Sequence, residues 1–285
     1  MTNKPLRQIF KLLLGFGLLV LIVQQLDISR LSNLVRGIDW LWFLMGFVAL
    51  IVSNLFSAYR WSKIVSVLGT EVPLGSAIKL YAQGITANTV VPGGIIGGDL
   101  WRTLGLVNHG ATKANAALSV FFDRLSGVWV LGICSLVAFL YLLLFEEPKA
   151  ELARIEAKFY FAALVVLVLV PLIISLSRGG KLRVVVRTFG VSLVVQFFAL
   201  TAFWACFKSV GESVSILPFL AVCAGIFIAS VVPASIGGFG ARELGAVMFL
   251  EPLGISAEVS FTASVLYGLM ATLQGLISLY WWIRR

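Results

Sequence analysis

The sequence predicts an all-α polytopic membrane protein with about six transmembrane helices and two re-entrant broken-helix hairpins, arranged as an inverted-topology repeat. Three observations predict it. The 285 residues are 60% hydrophobic and only 12% charged, with a mean hydropathy of +1.01, whereas a soluble domain has about 25% charged residues. Several uncharged runs reach the roughly 20 residues that a spanning helix needs. One interrupted apolar segment is also followed, far downstream, by a second segment of similar sequence.

The two similar segments are Asn88–Arg102, NTVVPGGIIGGDLWR, and Ser230–Glu243, SVVPASIGGFGARE. Both contain Val-Val-Pro, then Ile, then Gly-Gly, then Arg. Proline and paired glycines leave backbone groups unpaired, which membrane proteins tolerate where the backbone lines an enclosed or watery cavity. A helix that restarts after such a break directs free N–H groups into that cavity and can bind an anion there. The predicted break residues are Pro92, Gly93, Gly94, Gly97, Gly98, Pro233, Gly237 and Gly238.

The remaining elements follow from the apolar runs. The first run starts with basic residues and lacks a clear cleavage site, so we interpret it as a retained signal anchor. A polar link, Asp27–Asp39, can form a short amphipathic helix at the interface. Hairpins are predicted over Leu74–His109 and Ser213–Leu250. The six full spans are predicted at Leu6–Leu26, Trp40–Tyr59, Ala114–Phe145, Phe159–Ser177, Thr188–Phe207 and Ala257–Ile283.

The distribution of basic residues gives the orientation. With the N-terminal Lys4 in the cytoplasm, as the positive-inside rule requires, the basic stretches at Arg60 and Arg178–Arg187 also fall inside, and the acidic loop Glu146–Glu156 falls outside. Both termini are then cytoplasmic, in the inner (plasma) membrane. The halves, about 1–145 and 157–285 of a single transmembrane domain, run in opposite directions, as in many transporters.

Charge and cysteine content restrict the partners. The net charge of +9 fits anionic lipid surfaces and cytoplasmic loops, so no nucleic-acid partner is predicted. Cys134, Cys206 and Cys223 lie in apolar runs without a CxxC motif, and His109 is the single histidine, so neither a metal site nor a disulfide framework is predicted. The glycine run lacks the Lys-Ser/Thr of a nucleotide loop, and no cofactor is expected.

Charged residues at membrane depth are costly and usually functional. In the first half, the sequence does not decide the partner of either carboxylate: Asp99 can pair with Arg102 or Arg124, and so can Asp123. In the second half the sequence pairs Glu243 with Arg242. A guanidinium suits a lipid phosphate through paired N–H donors. Arg60 lies at a span end beside Trp61, where snorkelling to the interface is favoured. The predicted substrate-binding residues are Asn88, Asp99, Arg102, Asp123, Arg124, Arg242 and Glu243.

Four motifs in this order resemble the lysylphosphatidylglycerol synthase transmembrane-region family. They are Arg60-Trp61, the stretch Asn88–Arg102, Asp123-Arg-Leu-Ser-Gly127, and Pro233–Glu243. The last has Pro-Ala-Ser where the family usually has Pro-Gly-Gly. The resemblance spans nearly the whole chain. It implies movement of an aminoacylated phospholipid, or in other members a polyprenyl-phosphate or glycolipid carrier, between leaflets.

The leading hypothesis is a flippase-like lipid transporter, not an enzyme, whose partners are membrane lipids. The sequence holds no soluble synthase domain, so headgroup chemistry would come from a separate lipid synthase or glycosyltransferase. The sequence leaves open whether the protein forms a homo-oligomer. Two alternatives are a membrane-embedded enzyme or enzyme subunit that uses Asp99 and Asp123 as acid, base or metal ligand, and a channel suggested by the paired hairpins.

Overall fold

The computed structural model describes residues 23–24, 26–90, 96–146, 161–169, 183–231 and 240–283. Throughout these ranges the regular structure is helical. Residues 161–169 are helical, and a π-helical turn, Leu142–Glu146, directly follows the helix that ends at Tyr141. The other helices are α1 (Ile28–Arg36), α2 (Trp40–Val67), α3 (Leu74–Val90), α4 (Ile96–Asn108), α5 (Lys113–Tyr141), α6 (Arg183–Arg187), α7 (Phe189–Ser209), α8 (Ile216–Val231), α9 (Ala241–Leu250), α10 (Ala257–Ser278) and α11 (Tyr280–Ile283).

Four described helical stretches are long and apolar enough to cross a membrane. They are Trp40–Val67, Lys113–Phe145, Phe189–Ser209 and Ala257–Ile283, and they correspond to four of the six predicted spans. The predicted span Leu6–Leu26 lies almost entirely outside the described residues, and so do the ends of Phe159–Ser177. The protein is therefore an all-α membrane protein, as the composition predicted.

Polar caps begin several of these helices. Asp39 accepts hydrogen bonds from the backbone of Leu41 and Trp42 at the start of α2, and Ser256 caps α10. Asp27 caps α1, the short amphipathic helix expected in the first polar link. Hydrogen bonds from the Ser29 side chain and from backbone N–H groups lower the pKa of Asp27. Such caps satisfy N–H groups that have no partner within the helix.

The long helices α2 and α7 lie side by side and run in opposite directions. The backbone N–H of Asp39 at the start of α2 donates to the carbonyl of Ser209 at the end of α7, at 2.7 Å. Further along, the Ser53 hydroxyl donates to the carbonyl of Val195 at 3.0 Å. Residue numbers thus rise along α2 as they fall along α7. This antiparallel pair is the most extensive packing between the two halves of the chain.

Helices α3 and α4 fold back on each other. Gly84 faces Gly98, where a Cβ added to Gly98 would meet the Gly84 carbonyl oxygen, and Gly105 lies against Leu80. The amide oxygen of Asn88 also accepts a 2.7 Å hydrogen bond from the backbone of Gly98. Small residues allow such close approach between helices.

The position of Gly97 and Gly98 corrects one prediction. Helix α4 begins at Ile96, so the two glycines form its first turn instead of a second break. Gly98 is required there by the close contact with α3, which leaves no space for a side chain. Pro92, Gly93 and Gly94 lie outside the described residues.

Helices α8 and α9 make the corresponding fold-back. Gly245 contacts Ala229 and Ile226, and the ring of Phe249 covers Gly225. Helix α8 is described as far as Val231 in the second Val-Val-Pro, and α3 as far as Val90 in the first. The restarts differ, because α9 begins at Ala241, one residue before its arginine, whereas α4 begins six residues before Arg102. Pro233, Gly237 and Gly238 lie outside the described residues.

Each fold-back packs against the long helix of the other half. Thr86 of α3 donates to the carbonyl of Gly275 in α10 at 2.8 Å, and Gly275 also accommodates the Thr89 side chain. In the other direction, Ser135 of α5 donates to the carbonyl of Leu220 in α8 at 2.6 Å. Each half therefore packs one fold-back helix against a long helix of the other half.

Candidate functional site

A buried carboxylate on α5 joins three helices of the first half. The Asp123 side chain is almost fully buried. Its Oδ1 accepts from Nε of Arg60 on α2 at 2.9 Å, and its Oδ2 accepts from Nη1 of Arg102 on α4 at 2.8 Å. Arg60 also donates to the hydroxyl of Ser192 on α7 at 3.2 Å. Buried charges require such pairing.

Arg102 is enclosed by aromatic rings as well as carboxylates. Its guanidinium lies 4.6 Å from the ring centroid of Tyr81 and 5.4 Å from that of Trp61. Its Nη2 donates to Asp99 at 2.9 Å. Asp99 lies in the first turn of α4, where the helix dipole favours a negative charge.

The outer member of this network is Arg124. Its Nε and Nη2 both donate to the Asp99 carboxylate, at 3.2 and 2.9 Å. The Arg124 side chain is 43% exposed and that of Asp99 is 26% exposed, whereas Arg60 and Arg102 are buried. We call Arg60, Asp99, Arg102, Asp123 and Arg124 the charged network. It grades from a closed interior at Arg60 to an accessible edge at Arg124.

A cavity of about 220 Å³ lies beside the charged network. Arg60, Asp123 and Arg124 contribute to one side of it. The second half contributes Tyr267 of α10 and Ser230, which immediately precedes the second Val-Val-Pro. This cavity is therefore formed by both halves of the chain. We call it the charged cavity.

A second cavity of about 200 Å³ adjoins it and is mainly apolar. Asn54 and Tyr81 line both cavities, and Asn54 donates to the Gln274 side chain at 2.7 Å. The outer residues Leu55, Ile277 and Trp281 are exposed on the surface of helices that are apolar enough to span a membrane. We call this space the side cavity.

The second half has an ion pair of its own, with different surroundings. Arg242 donates to Glu243 at 2.6 Å and to the hydroxyl of Ser264 at 3.0 Å. Glu243 also accepts from the backbone of Gly240 at 2.5 Å, which caps α9. The Arg242 guanidinium lies 5.5 Å from the Tyr267 ring centroid. Both charged side chains are buried.

The predicted ion pairs are present, and the open alternatives are resolved. Asp99 contacts both Arg102 and Arg124, Asp123 pairs with Arg102, and Glu243 pairs with Arg242. Asn88 lies on α3, and its side-chain oxygen accepts a hydrogen bond from the backbone N–H of Gly98 on α4.

Arg60 was predicted wrongly. It does not snorkel to the interface, because its side chain is 5% exposed and forms an ion pair with Asp123 at 2.9 Å. Its partners lie 63 and 132 positions away in the sequence. Asp123 and Arg124 are adjacent charges of opposite sign, so this motif alone gave no signal that a further cation lies nearby.

The fold and this site define a class: a polytopic helical membrane protein with a buried charged network beside a cavity formed by two halves. Comparison with protein families identifies it further. Residues 8–278 match the family model "Lysylphosphatidylglycerol synthase TM region", and the chain belongs to this family. No curated protein matches the chain. Family membership associates the protein with lipid metabolism or transport.

Proposed function

We propose that the protein is a flippase-like transporter that moves a phospholipid with an anionic or aminoacylated headgroup, or a polyprenyl-phosphate-linked lipid, between leaflets. The observation that carries this proposal is the pair of adjoining cavities. A lipid has a charged phosphate and an apolar chain, and the protein offers a charged cavity beside an apolar cavity near its membrane-facing surface.

Arg124 is the group best suited to hold the phosphate. Its guanidinium already makes a two-pronged contact with a carboxylate, and the same fork geometry fits two phosphate oxygens. It lines the charged cavity and is the accessible arginine of the network. Arg60 and Arg102 are occupied by Asp123, so they hold the site in shape and contribute long-range attraction.

The side cavity accommodates the start of an acyl or prenyl chain. Its outer wall consists of apolar side chains that face the membrane, and its inner limit is the hydrogen bond between Asn54 and Gln274. A chain in this position could remain largely in the bilayer while its headgroup enters the protein. The free-energy cost of transport is then mainly that of desolvating the charged headgroup, because the apolar chain never leaves an apolar environment.

The opposed directions of α2 and α7 suggest how the site could open alternately to the two leaflets. The exchange of equivalent contacts between α3–α10 and α8–α5 supports an inverted repeat with two re-entrant hairpins, in which one half rocks against the other. Modification of the headgroup would then be the task of a separate enzyme.

The proposal is tested by lipid translocation in vesicles. The purified full chain is reconstituted with fluorescent phosphatidylglycerol, and the fraction that becomes accessible to an impermeant quencher is followed with time. We expect Arg124→Gln to reduce the rate at least about tenfold, because one charge-assisted contact is worth roughly 1.5–3 kcal/mol.

Arg30→Gln is the matched control. Arg30 is also exposed and also pairs with a carboxylate, Glu258, at 3.4 Å, but it lies on α1 and outside the charged cavity. It should leave translocation unchanged. An Arg124→Gln protein that folds and translocates lipid at the wild-type rate would contradict the proposal.

A further inference from the structure

We propose that the Asp99 carboxylate occupies the place of the lipid phosphate in the resting site and is exchanged for it at Arg124 when substrate binds. This inference rests on the proposed function and assigns a regulatory role to one residue of its site. Asp99 would set the affinity for the headgroup by competing with it.

The geometry of the ion pair supports the exchange. Arg124 donates to Asp99 through Nε and Nη2, the two donors on one edge of the guanidinium. The same edge would meet two oxygens of a phosphodiester. Because one edge cannot hold both anions fully, the headgroup can form this contact only when Asp99 releases it.

Exposure identifies which contact can open. In the contacts between Asp123 and its two arginines, both partners are buried. In the contact between Asp99 and Arg124, both partners are partly exposed at the protein surface. Opening a buried pair leaves an uncompensated buried charge, which is strongly unfavourable, whereas a partly exposed pair separates at a smaller cost.

Asp99 keeps a second partner after it leaves Arg124. Its Oδ1 also accepts from Nη2 of Arg102 at 2.9 Å, so the carboxylate stays paired during the exchange. The charged network has three guanidiniums and two carboxylates, an excess of one positive charge. One monoanionic phosphodiester neutralises that excess, which fits a lipid phosphate better than a dianion.

The experiment is a double-mutant cycle on headgroup affinity. The dissociation constant of fluorescent phosphatidylglycerol is measured for the purified full chain in zwitterionic detergent micelles. Asp99→Asn keeps the size of the side chain but removes its charge, and we expect on the order of tenfold tighter binding. In an Arg124→Gln background, the same substitution should change the affinity less than about twofold, because the contested donor is absent.

Glu71→Gln is the charge-matched control. It removes one negative charge from an exposed position between α2 and α3, where Glu71 accepts from the Ser66 hydroxyl, and it should not tighten binding. Unchanged or weaker binding by Asp99→Asn would overturn the inference. So would a gain of the same size in the Arg124→Gln background, because that is a general charge effect.

Two further outcomes separate this inference from the function on which it rests. If the wild type binds phosphatidylglycerol but Asp99→Asn has no effect, only the exchange is wrong. If neither protein binds the lipid above its affinity for phosphatidylcholine, the proposed function itself fails. Inorganic phosphate should compete poorly, since it lacks the chain for the side cavity. Competition by free phosphate as strong as that by short-chain phosphatidylglycerol would overturn the lipid assignment.

Discussion

Two guanidiniums from different helices converge on the Asp123 carboxylate, and the contacts bury all three groups. At the scale of single residues, the stability of the charged network depends on every charge around Asp123 having a partner. Removing one member of a buried pair costs more than the pair itself contributes, because the partner charge remains buried. Asp99, in contrast, is partly exposed at the protein surface.

This difference predicts the stability of two matched substitutions. Asp123→Asn should lower the free energy of unfolding by about 3–5 kcal/mol, because it leaves Arg60 and Arg102 without sufficient negative charge. Asp99→Asn should cost at most about 1 kcal/mol, since its pairs are partly exposed. Thermal unfolding of the two purified variants in the same detergent measures the contrast. Equal melting temperatures would show that Asp123 is not the centre of the network.

The hairpin of α3 and α4 is the element that positions Asp99 and Arg102. Its helices approach through Gly84 and Gly98, and the hydrogen bond from Gly98 to Asn88 fixes their register. An added methyl group at Gly98 would meet backbone, which cannot rotate away as a flexible side chain can. Any separation of these helices would also displace Arg102 from Asp123.

Gly98→Ala is therefore expected to destabilise the protein by about 1–3 kcal/mol, the usual cost of an overpacked contact. Gly75→Ala is the control on the same hairpin, because an added Cβ there meets nothing within 4 Å. It should be neutral or slightly stabilising, since alanine is the better helix former by about 1 kcal/mol. Melting temperatures in detergent compare the pair. Gly98→Ala with the stability of Gly75→Ala would contradict the close approach.

Across the whole molecule, the antiparallel course of α2 and α7 determines which loops share a membrane face. Both helices are long and apolar enough to span, and the start of α2 hydrogen-bonds to the end of α7. The segments that follow their C-terminal ends must then lie on opposite sides. The positive-inside rule assigns the side after α2 to the cytoplasm.

Cysteine labelling in a background without the three native cysteines tests this topology. Glu71 and Ser215 are both exposed and follow α2 and α7, respectively. We expect Ser215→Cys to react with an impermeant maleimide in intact cells, and Glu71→Cys to react only after the membrane is permeabilised. Labelling of both sites in intact cells would be inconsistent with two antiparallel spans.

Local composition and spacing were sufficient to predict the membrane class, four helices long and apolar enough to span a membrane, and the pairing of adjacent charges such as Arg242 with Glu243. These depend on interactions within one segment, or between a segment and the bilayer, which the sequence contains directly. The family resemblance, confirmed over residues 8–278, was also present in the motifs.

Tertiary structure alone decided which distant groups meet. It brought Arg60 to Asp123, moved Gly98 from a predicted break into a helix contact, and placed Arg124 at the accessible edge of a cavity formed by both halves. Burial and charge pairing between helices depend on their relative position in space. Residues 63 or 132 positions apart share no local pattern from which that position could be predicted.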